Sequence, residues 1–164
     1  LMTNDIFSKT IEILSSKKLN IIDKDTERPW GGFFVISEDN AQDFSNIYFN
    51  GLNTEELKVS GKLSPKVLII APNKRLSWQY HHRRSEIWKV VGGQIKVVSS
   101  HDDIERKEQI LKEGDEIRLY KGERHRIIGM DEYAVVAEIW IHTDKDNPSD
   151  ENDIVRIQDD FDRN

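Results

Sequence analysis

The chain has no cysteine among its 164 residues. Disulfides and thiol chemistry are therefore excluded, and no thiolate is available to bind a metal ion. The chain also lacks any apolar run near the roughly 20 residues of a membrane-spanning helix, and it does not begin with the basic and then apolar pattern of a secretion signal. These absences predict a cytoplasmic protein with no membrane partner.

Positive charge is in the minority, with 24 Lys and Arg against 30 Asp and Glu and a net charge of -6. This balance argues against a nucleic-acid-binding surface, so no nucleic-acid partner is expected. A local cluster of Arg or Lys can still bind a small anionic substrate. The length suits one main domain with a sizeable core.

Short strands separated by turn signals follow one another from Pro65 onward. Glycine pairs and Lys121-Gly122 supply tight turns. Many short strands at regular spacing indicate a sandwich or a small barrel, and we predict an all-β jelly roll. The predicted strands are 67–70, 76–82, 85–91, 94–99, 116–120, 126–128 and 134–141, with a hairpin in 104–111.

The remaining segments carry other signals. Apolar residues at helical spacing predict a helix over 3–16, which we place outside the barrel. We expect a short strand at 19–22, a turn at 27–32, a strand at 33–36, and a long loop over 37–64 with a short helix near 40–47. The acidic stretch 144–153 is predicted to be solvated loop. The predicted organisation is an N-terminal helical extension over 1–24 and a barrel domain over 25–164.

Four nitrogen and oxygen donors stand out as candidate metal ligands. Gln79 and His81 are two residues apart, a spacing that places both side chains on one face of a strand. Glu86 follows shortly, and His125 comes just after a glycine-containing turn, as a ligand from a neighbouring strand would. Imidazole, carboxylate and amide oxygen suit one divalent ion, and zinc is the ion we predict.

Glu86 has two possible environments. If its strand face points inward with Trp88, the buried carboxylate needs a cation or another partner. Alternatively, this face meets solvent and Ile87 points inward. His82 lies on the opposite strand face and is not predicted to be a ligand, and no role is predicted for His101 or His142.

The spacing of the four donors resembles the two cupin motifs. The first is Gln79-x-His81, Glu86 and Gly93, with Gln in place of the usual first His. The second is Gly114, Gly122 and His125, with Tyr120 in place of the usual Pro and Gly129 in place of the usual Asn. The resemblance implies a cupin jelly-roll barrel, here with an N-terminal helix. For such a fold, edge-strand pairing into a homodimer is a further expectation.

Four blocks in order are similar to type II mannose-6-phosphate isomerases. In that family this cupin is usually the C-terminal part of an enzyme with a guanylyltransferase domain. The 164 residues contain no such domain, so guanylyl transfer is not expected. The stretch 139–149 departs from the family, which generally has a glycine-containing turn there. The blocks are Arg28-Pro29-Trp30-Gly31, Leu76 to Trp88, Arg124-His125-Arg126 and Asp153 to Phe161.

The resemblance implies metal-dependent isomerisation of a phosphosugar, with mannose 6-phosphate and fructose 6-phosphate as the first candidates. Arg84 and Lys66 are the predicted catalytic residues, while the base remains open between Lys66, a carboxylate and metal-bound hydroxide. Arginine forms bidentate hydrogen bonds with phosphate oxygens. We therefore predict that Arg156, Arg124 and Arg126 bind substrate. There are two alternatives. The chain could be an isomerase of a heptose or glucose phosphate, or a non-enzymatic sugar-binding cupin.

Overall fold

The computed structural model describes residues 3–59 and 61–163 and consists mainly of antiparallel strands. Three α-helices occur in the first 60 residues: α1 (Thr3–Ser16), α2 (Ala41–Tyr48) and α3 (Thr54–Leu57). The strands are β1 (Ile21–Arg28), β2 (Gly31–Ile36), β3 (Lys66–Ile70), β4 (Trp78–Tyr80), β5 (Arg84–Gly92), β6 (Gln94–Ser100), β7 (Lys107–Lys112), β8 (Glu116–Leu119), β9 (Arg124–Gly129), β10 (Ala134–His142) and β11 (Val155–Gln158).

The strands form two sheets, as the predicted jelly roll requires. One sheet has the order β1-β2-β3-β10-β5-β8, and the other has the order β11-β4-β9-β6-β7. Side chains alternate along each strand, so β3 sends Leu68 and Ile70 into the core between the sheets while Val67 and Ile69 join a second core. The all-β prediction is confirmed, with strands making up most of the chain after residue 65.

The second core lies on the outer face of the six-stranded sheet, beneath the helices. Phe7 and Leu14 of α1 and Phe44 of α2 pack there with outward residues of β2, β3, β5 and β10. Burial of each such side chain contributes roughly 1.5–3 kcal/mol. The helix predicted at 3–16 is therefore present and belongs to the same packed unit as the sheet. The predicted domain boundary at residue 24 falls inside β1.

The first hairpin differs from its prediction. The strand β1 continues through the polar residues 23–27, because pairing with β2 outweighs their low strand propensity. The turn is confined to Pro29-Trp30. Gly31 has φ of 139°, and a Cβ there would lie 1.9 Å from the Ile69 carbonyl oxygen, so only glycine fits this approach.

Two later segments also differ. The stretch predicted as a hairpin at 104–111 holds a single strand, β7, which pairs with β6. The stretch 144–153 is a loop as predicted, but Ser149 and Asp153 are buried in it. The Asp153 carboxylate accepts hydrogen bonds from the backbone N–H groups of His82 and Arg83, which ties this loop to the barrel. No helix in residues 3–59 or 61–163 is long and apolar enough to cross a membrane.

Candidate metal centre

The two sheets bring the predicted ligands together at one end of the inner core. Gln79 on β4 and His125 on β9 are direct cross-strand partners in the five-stranded sheet. His81 follows β4 by one residue. Glu86 reaches the same place from β5 of the opposite sheet. The site therefore depends on the sheets packing face to face, since neither sheet holds all the donors.

His81, Glu86 and His125 form a buried cluster. One ligand atom from each lies within 4.8 Å of the others, and each residue is 2–3% exposed. The His81 Nε2 to Glu86 Oε2 distance is 3.1 Å. Glu86 does face inward with Trp88, while Ile87 is buried in the second core on the other face of β5. Both faces of this strand are thus covered, and the solvent-facing alternative for Glu86 is wrong.

Backbone carbonyls orient both imidazole rings. His81 Nδ1 lies 2.7 Å from the Asp153 carbonyl oxygen, and His125 Nδ1 lies 3.0 Å from that of Glu123. A carbonyl oxygen accepts hydrogen bonds, so each ring donates through Nδ1 and turns Nε2 toward the cluster. His125 Nε2 is buried and has no hydrogen-bond partner. An uncompensated buried nitrogen of this kind is what a metal ion would satisfy.

The protonation states of His125 and Glu86 also favour the binding of a cation. Burial lowers the pKa of His125 to about 4, so the ring is neutral at pH 7. Burial opposes ionisation of Glu86, but chiefly the charge of Arg84 holds the pKa of its carboxyl well below the usual range. Two imidazoles and one carboxylate are a donor set for zinc or another divalent first-row ion. The residues present therefore fit the group that the sequence predicted.

Gln79 lies beside this cluster, but its amide nitrogen, and not its amide oxygen, points toward it. The amide nitrogen faces His81 Nε2 at 3.5 Å, while the amide oxygen accepts a hydrogen bond from Ser77 Oγ at 2.5 Å. Rotation of the amide by half a turn would exchange the two atoms and present the oxygen to the cluster. The structure thus brings the fourth predicted donor to the site, in an orientation that does not donate its oxygen.

Arg84 lies at the edge of the cluster and is 6% exposed. Its Nε donates to Glu86 Oε2 at 2.8 Å, and one terminal nitrogen donates to Ser149 Oγ at 2.8 Å. The guanidinium also stacks on Trp140, with 3.6 Å between Cζ and the ring centroid. These contacts hold a positive charge in a fixed place beside the ligand atoms.

A cavity of about 170 Å³ opens onto the cluster. Trp30 and Trp88 belong to its wall. Of the residues predicted from sequence to act on substrate, Lys66, Arg84, Arg126 and Arg156 line this cavity; Arg124 does not.

The Lys and Arg side chains that were predicted to act on substrate differ in their contacts. Lys66 forms an ion pair with Glu151 and lies 4.6 Å from the Trp140 ring centroid. Arg126 is fully buried and donates to the Leu76 carbonyl. Arg124 points away from the cavity, where it pairs with Asp103 and stacks on Tyr80.

The other histidines are not part of the cluster. His82 and His101 are exposed. His142 is buried and both its ring nitrogens have partners, Ser64 Oγ and the Ser149 N–H.

Sequence reasoning missed Glu138, a buried carboxylate of β10 that lines the cavity. Trp88 Nε1 donates to it at 3.1 Å and to Glu86 Oε1 at 2.9 Å. Burial and the nearby Glu86 charge raise the pKa of Glu138 well above its usual range. A Glu within the apolar run 134–141 was a signal of the same kind that singled out Glu86 on β5.

Comparison with solved structures supports the fold class, a cupin jelly roll. CapF, crystallised with the inhibitor 3-isopropenyl-tropolone, has a TM-score of 0.58 at 17% identity, covering 85% of this chain and 34% of that one. A mutant of Bacillus subtilis oxalate decarboxylase has a TM-score of 0.57 at 15% identity, covering 82% and 30%. Drosophila melanogaster CENP-C, crystallised bound to CAL1, has a TM-score of 0.52 at 13% identity, covering 75% and 76%. The chain thus spans about a third of the length of CapF and of the decarboxylase.

Family comparison identifies the chain more closely. Residues 38–159, more than half of the chain, match the family described as mannose-6-phosphate isomerase C-terminal. The chain therefore belongs to that family, as the four sequence blocks indicated. A search of curated proteins finds no match.

Proposed function

We propose that this chain is a metal-dependent aldose–ketose isomerase of a phosphosugar, with mannose 6-phosphate and fructose 6-phosphate as the preferred pair. The observation that carries the proposal is the convergence of His81, Glu86 and His125 in a cavity whose wall is rich in Arg and Lys. Family membership supplies the reaction class.

The proposed ligands are His81, Glu86 and His125, with Gln79 as a fourth donor once its amide turns. Zinc is the ion we propose, because the donors are nitrogen and oxygen and no thiolate is present. When bound, a divalent ion supplies a Lewis acid that stabilises negative charge on the carbonyl oxygen of the substrate. The burial of the three residues keeps water out and strengthens this interaction.

Isomerisation moves one proton between C1 and C2 of the sugar through an enediol, so the site needs a group that accepts and returns a proton. Lys66 and Glu138 are two such groups on the cavity wall. They are cross-strand partners on β3 and β10, so both side chains enter the cavity side by side. Arg84 adds a fixed positive charge near the place where the enediolate forms.

The test is a coupled assay on mannose 6-phosphate, glucose 6-phosphate and a heptose phosphate. Activity should disappear with a chelator and return when zinc is restored. His81→Ala should abolish it, while His82→Ala, a neighbouring exposed histidine, should keep it. If protein with full metal occupancy isomerises none of these sugars, the enzyme proposal fails and a sugar-binding cupin takes its place.

A further inference from the structure

The cavity has a charge of opposite sign to the whole chain. Six cationic residues line it against three acidic ones, although the net charge of the chain is -6. The cations are Arg28, Lys66, Arg84, Arg126, Arg156 and Arg163, and the acids are Glu86, Glu138 and Glu151. A low-dielectric pocket lined by one sign of charge concentrates ligands of the other sign.

Most of these cations already have an acidic partner. A carboxylate lies within ion-pair distance of each of five of them, namely Arg28, Lys66, Arg84, Arg126 and Arg163. Arg156 is the exception among the described residues that line the cavity. One terminal nitrogen of Arg156 donates to the Arg163 carbonyl at 2.9 Å, and its Nε is buried without a hydrogen-bond partner.

Two further arginines crowd Arg156. Burial is the main cause that lowers the pKa of Arg156. The positive charges of Arg163 and Arg28 lower it further, while the charges of Asp159 and Glu151 oppose them. Arg28 Nε lies 3.0 Å from an Asp25 oxygen, but it too is buried without a hydrogen bond of good geometry. Arg28 and Arg156 thus each keep a buried, unfilled N–H group near a third guanidinium, and an added anion would satisfy both.

The sheet register places this group near the metal cluster. Arg156 on β11 is the cross-strand partner of Gln79 on β4, and Gln79 is the partner of His125 on β9. Neighbouring strands are about 4.8 Å apart, so the backbone positions of Arg156 and His125 are roughly 10 Å apart, and their side chains leave the same face of the sheet. This distance is comparable to the reach from the first carbon of an open-chain hexose to a phosphate on its sixth carbon.

We propose that Arg28, Arg156 and Arg163 form a subsite for the phosphate monoester of the substrate. The inference rests on the proposed function and adds to it the orientation of the sugar: the carbonyl end lies at the metal ligands and the phosphate is on the far end of the carbon chain. A sugar phosphorylated next to its carbonyl group would not reach both places. Guanidinium groups suit this role because they offer paired N–H donors to phosphate oxygens.

The experiment is a calorimetric titration of the chelator-treated protein with sorbitol 6-phosphate, sorbitol and inorganic phosphate. These probes have no carbonyl group, so binding is measured without turnover. Sorbitol 6-phosphate should bind more tightly than sorbitol. Arg156→Gln should weaken that binding roughly ten- to a hundredfold, the size of a charge-assisted hydrogen bond, and should leave sorbitol binding unchanged.

Arg118→Gln is the matched control. Arg118 also has no carboxylate within ion-pair distance among the described residues, but it is exposed and lies outside the cavity. The Arg118→Gln variant should therefore leave the affinity for sorbitol 6-phosphate unchanged. Arg28→Gln provides a second variant should Arg156→Gln fail to fold, which its melting temperature reveals.

The outcomes separate the two proposals. Equal binding of sorbitol 6-phosphate and sorbitol, or unchanged affinity in both folded variants, would overturn the subsite whether or not the protein is an isomerase. Phosphate-dependent binding that is lost in Arg156→Gln, in a protein that isomerises no sugar, would leave the subsite standing and overturn only the isomerase.

Discussion

His125 and His142 are both almost fully buried, at 2% and 1% exposure, and burial lowers the pKa of each to about 4. Their hydrogen bonds differ. His142 has Ser64 on one ring nitrogen and the Ser149 N–H on the other. His125 has a carbonyl on Nδ1 and nothing on Nε2. Burial and pKa therefore do not distinguish these two histidines, whereas the unfilled Nε2 of His125 does.

The largest effect that tests this comparison is loss of metal. His81→Ala and His125→Ala each remove one of three clustered donors, so elemental analysis of purified protein should show the ion lost from both. His142→Asn should keep its ion, because its nitrogens serve only the local hydrogen bonds. Full retention of metal by both ligand variants would refute the assignment, as would loss from a folded His142→Asn.

Arg84 lies between the ligand cluster and the surroundings of His142. It is the cross-strand partner of His142, and it donates to Ser149, whose own N–H donates to the His142 ring. Its Nε contacts Glu86 on the other side. A change at Arg84 therefore tests whether the cluster and the His142 region act separately.

The next effect concerns the activity that depends on Arg84. Arg84→Ala removes a charge-assisted hydrogen bond near the reacting atoms, worth about 1.5–3 kcal/mol, or roughly ten- to a hundredfold in kcat/KM. Metal should be retained, since the lost group is itself a cation beside the ligands. Turnover, metal content and melting temperature should be measured together, with Arg118→Ala as the control. A fall in stability with full activity in the folded fraction would make Arg84 purely structural.

Local sequence pattern was enough for the inner strands and for three of the four predicted ligands, Gln79, His81 and Glu86. Alternation along β5 and the two-residue spacing of Gln79 and His81 depend only on strand geometry, which is local. Prediction of the complete ligand cluster also required the second motif, which contains His125 some forty residues away.

The parts that the pattern did not predict depend on distant partners. Asp153 lies in a polar stretch that reads as solvated loop, yet its carbonyl orients His81 and its carboxylate holds the turn at His82 and Arg83, about seventy residues earlier. Arg28, at the end of β1, meets the cavity only because β1 and β2 extend the six-stranded sheet. Such contacts follow from packing, and no local periodicity encodes them.

The smallest effect is the contribution of His142 to stability against acid. Its pKa is 6.5 in the unfolded chain and about 4 in the folded one, chiefly because of burial, so between these values the unfolded state binds more protons. The free energy of unfolding should therefore be at its full value above pH 6.5 and fall as the pH drops toward 4. In His142→Asn, the loss between pH 7.5 and pH 5 should be smaller than in the wild type by on the order of 1 kcal/mol. Urea unfolding at the two pH values, with chelator present in both proteins, measures this difference. His125 contributes equally to both proteins under these conditions, so an identical pH dependence would mean that burial does not hold the His142 ring neutral.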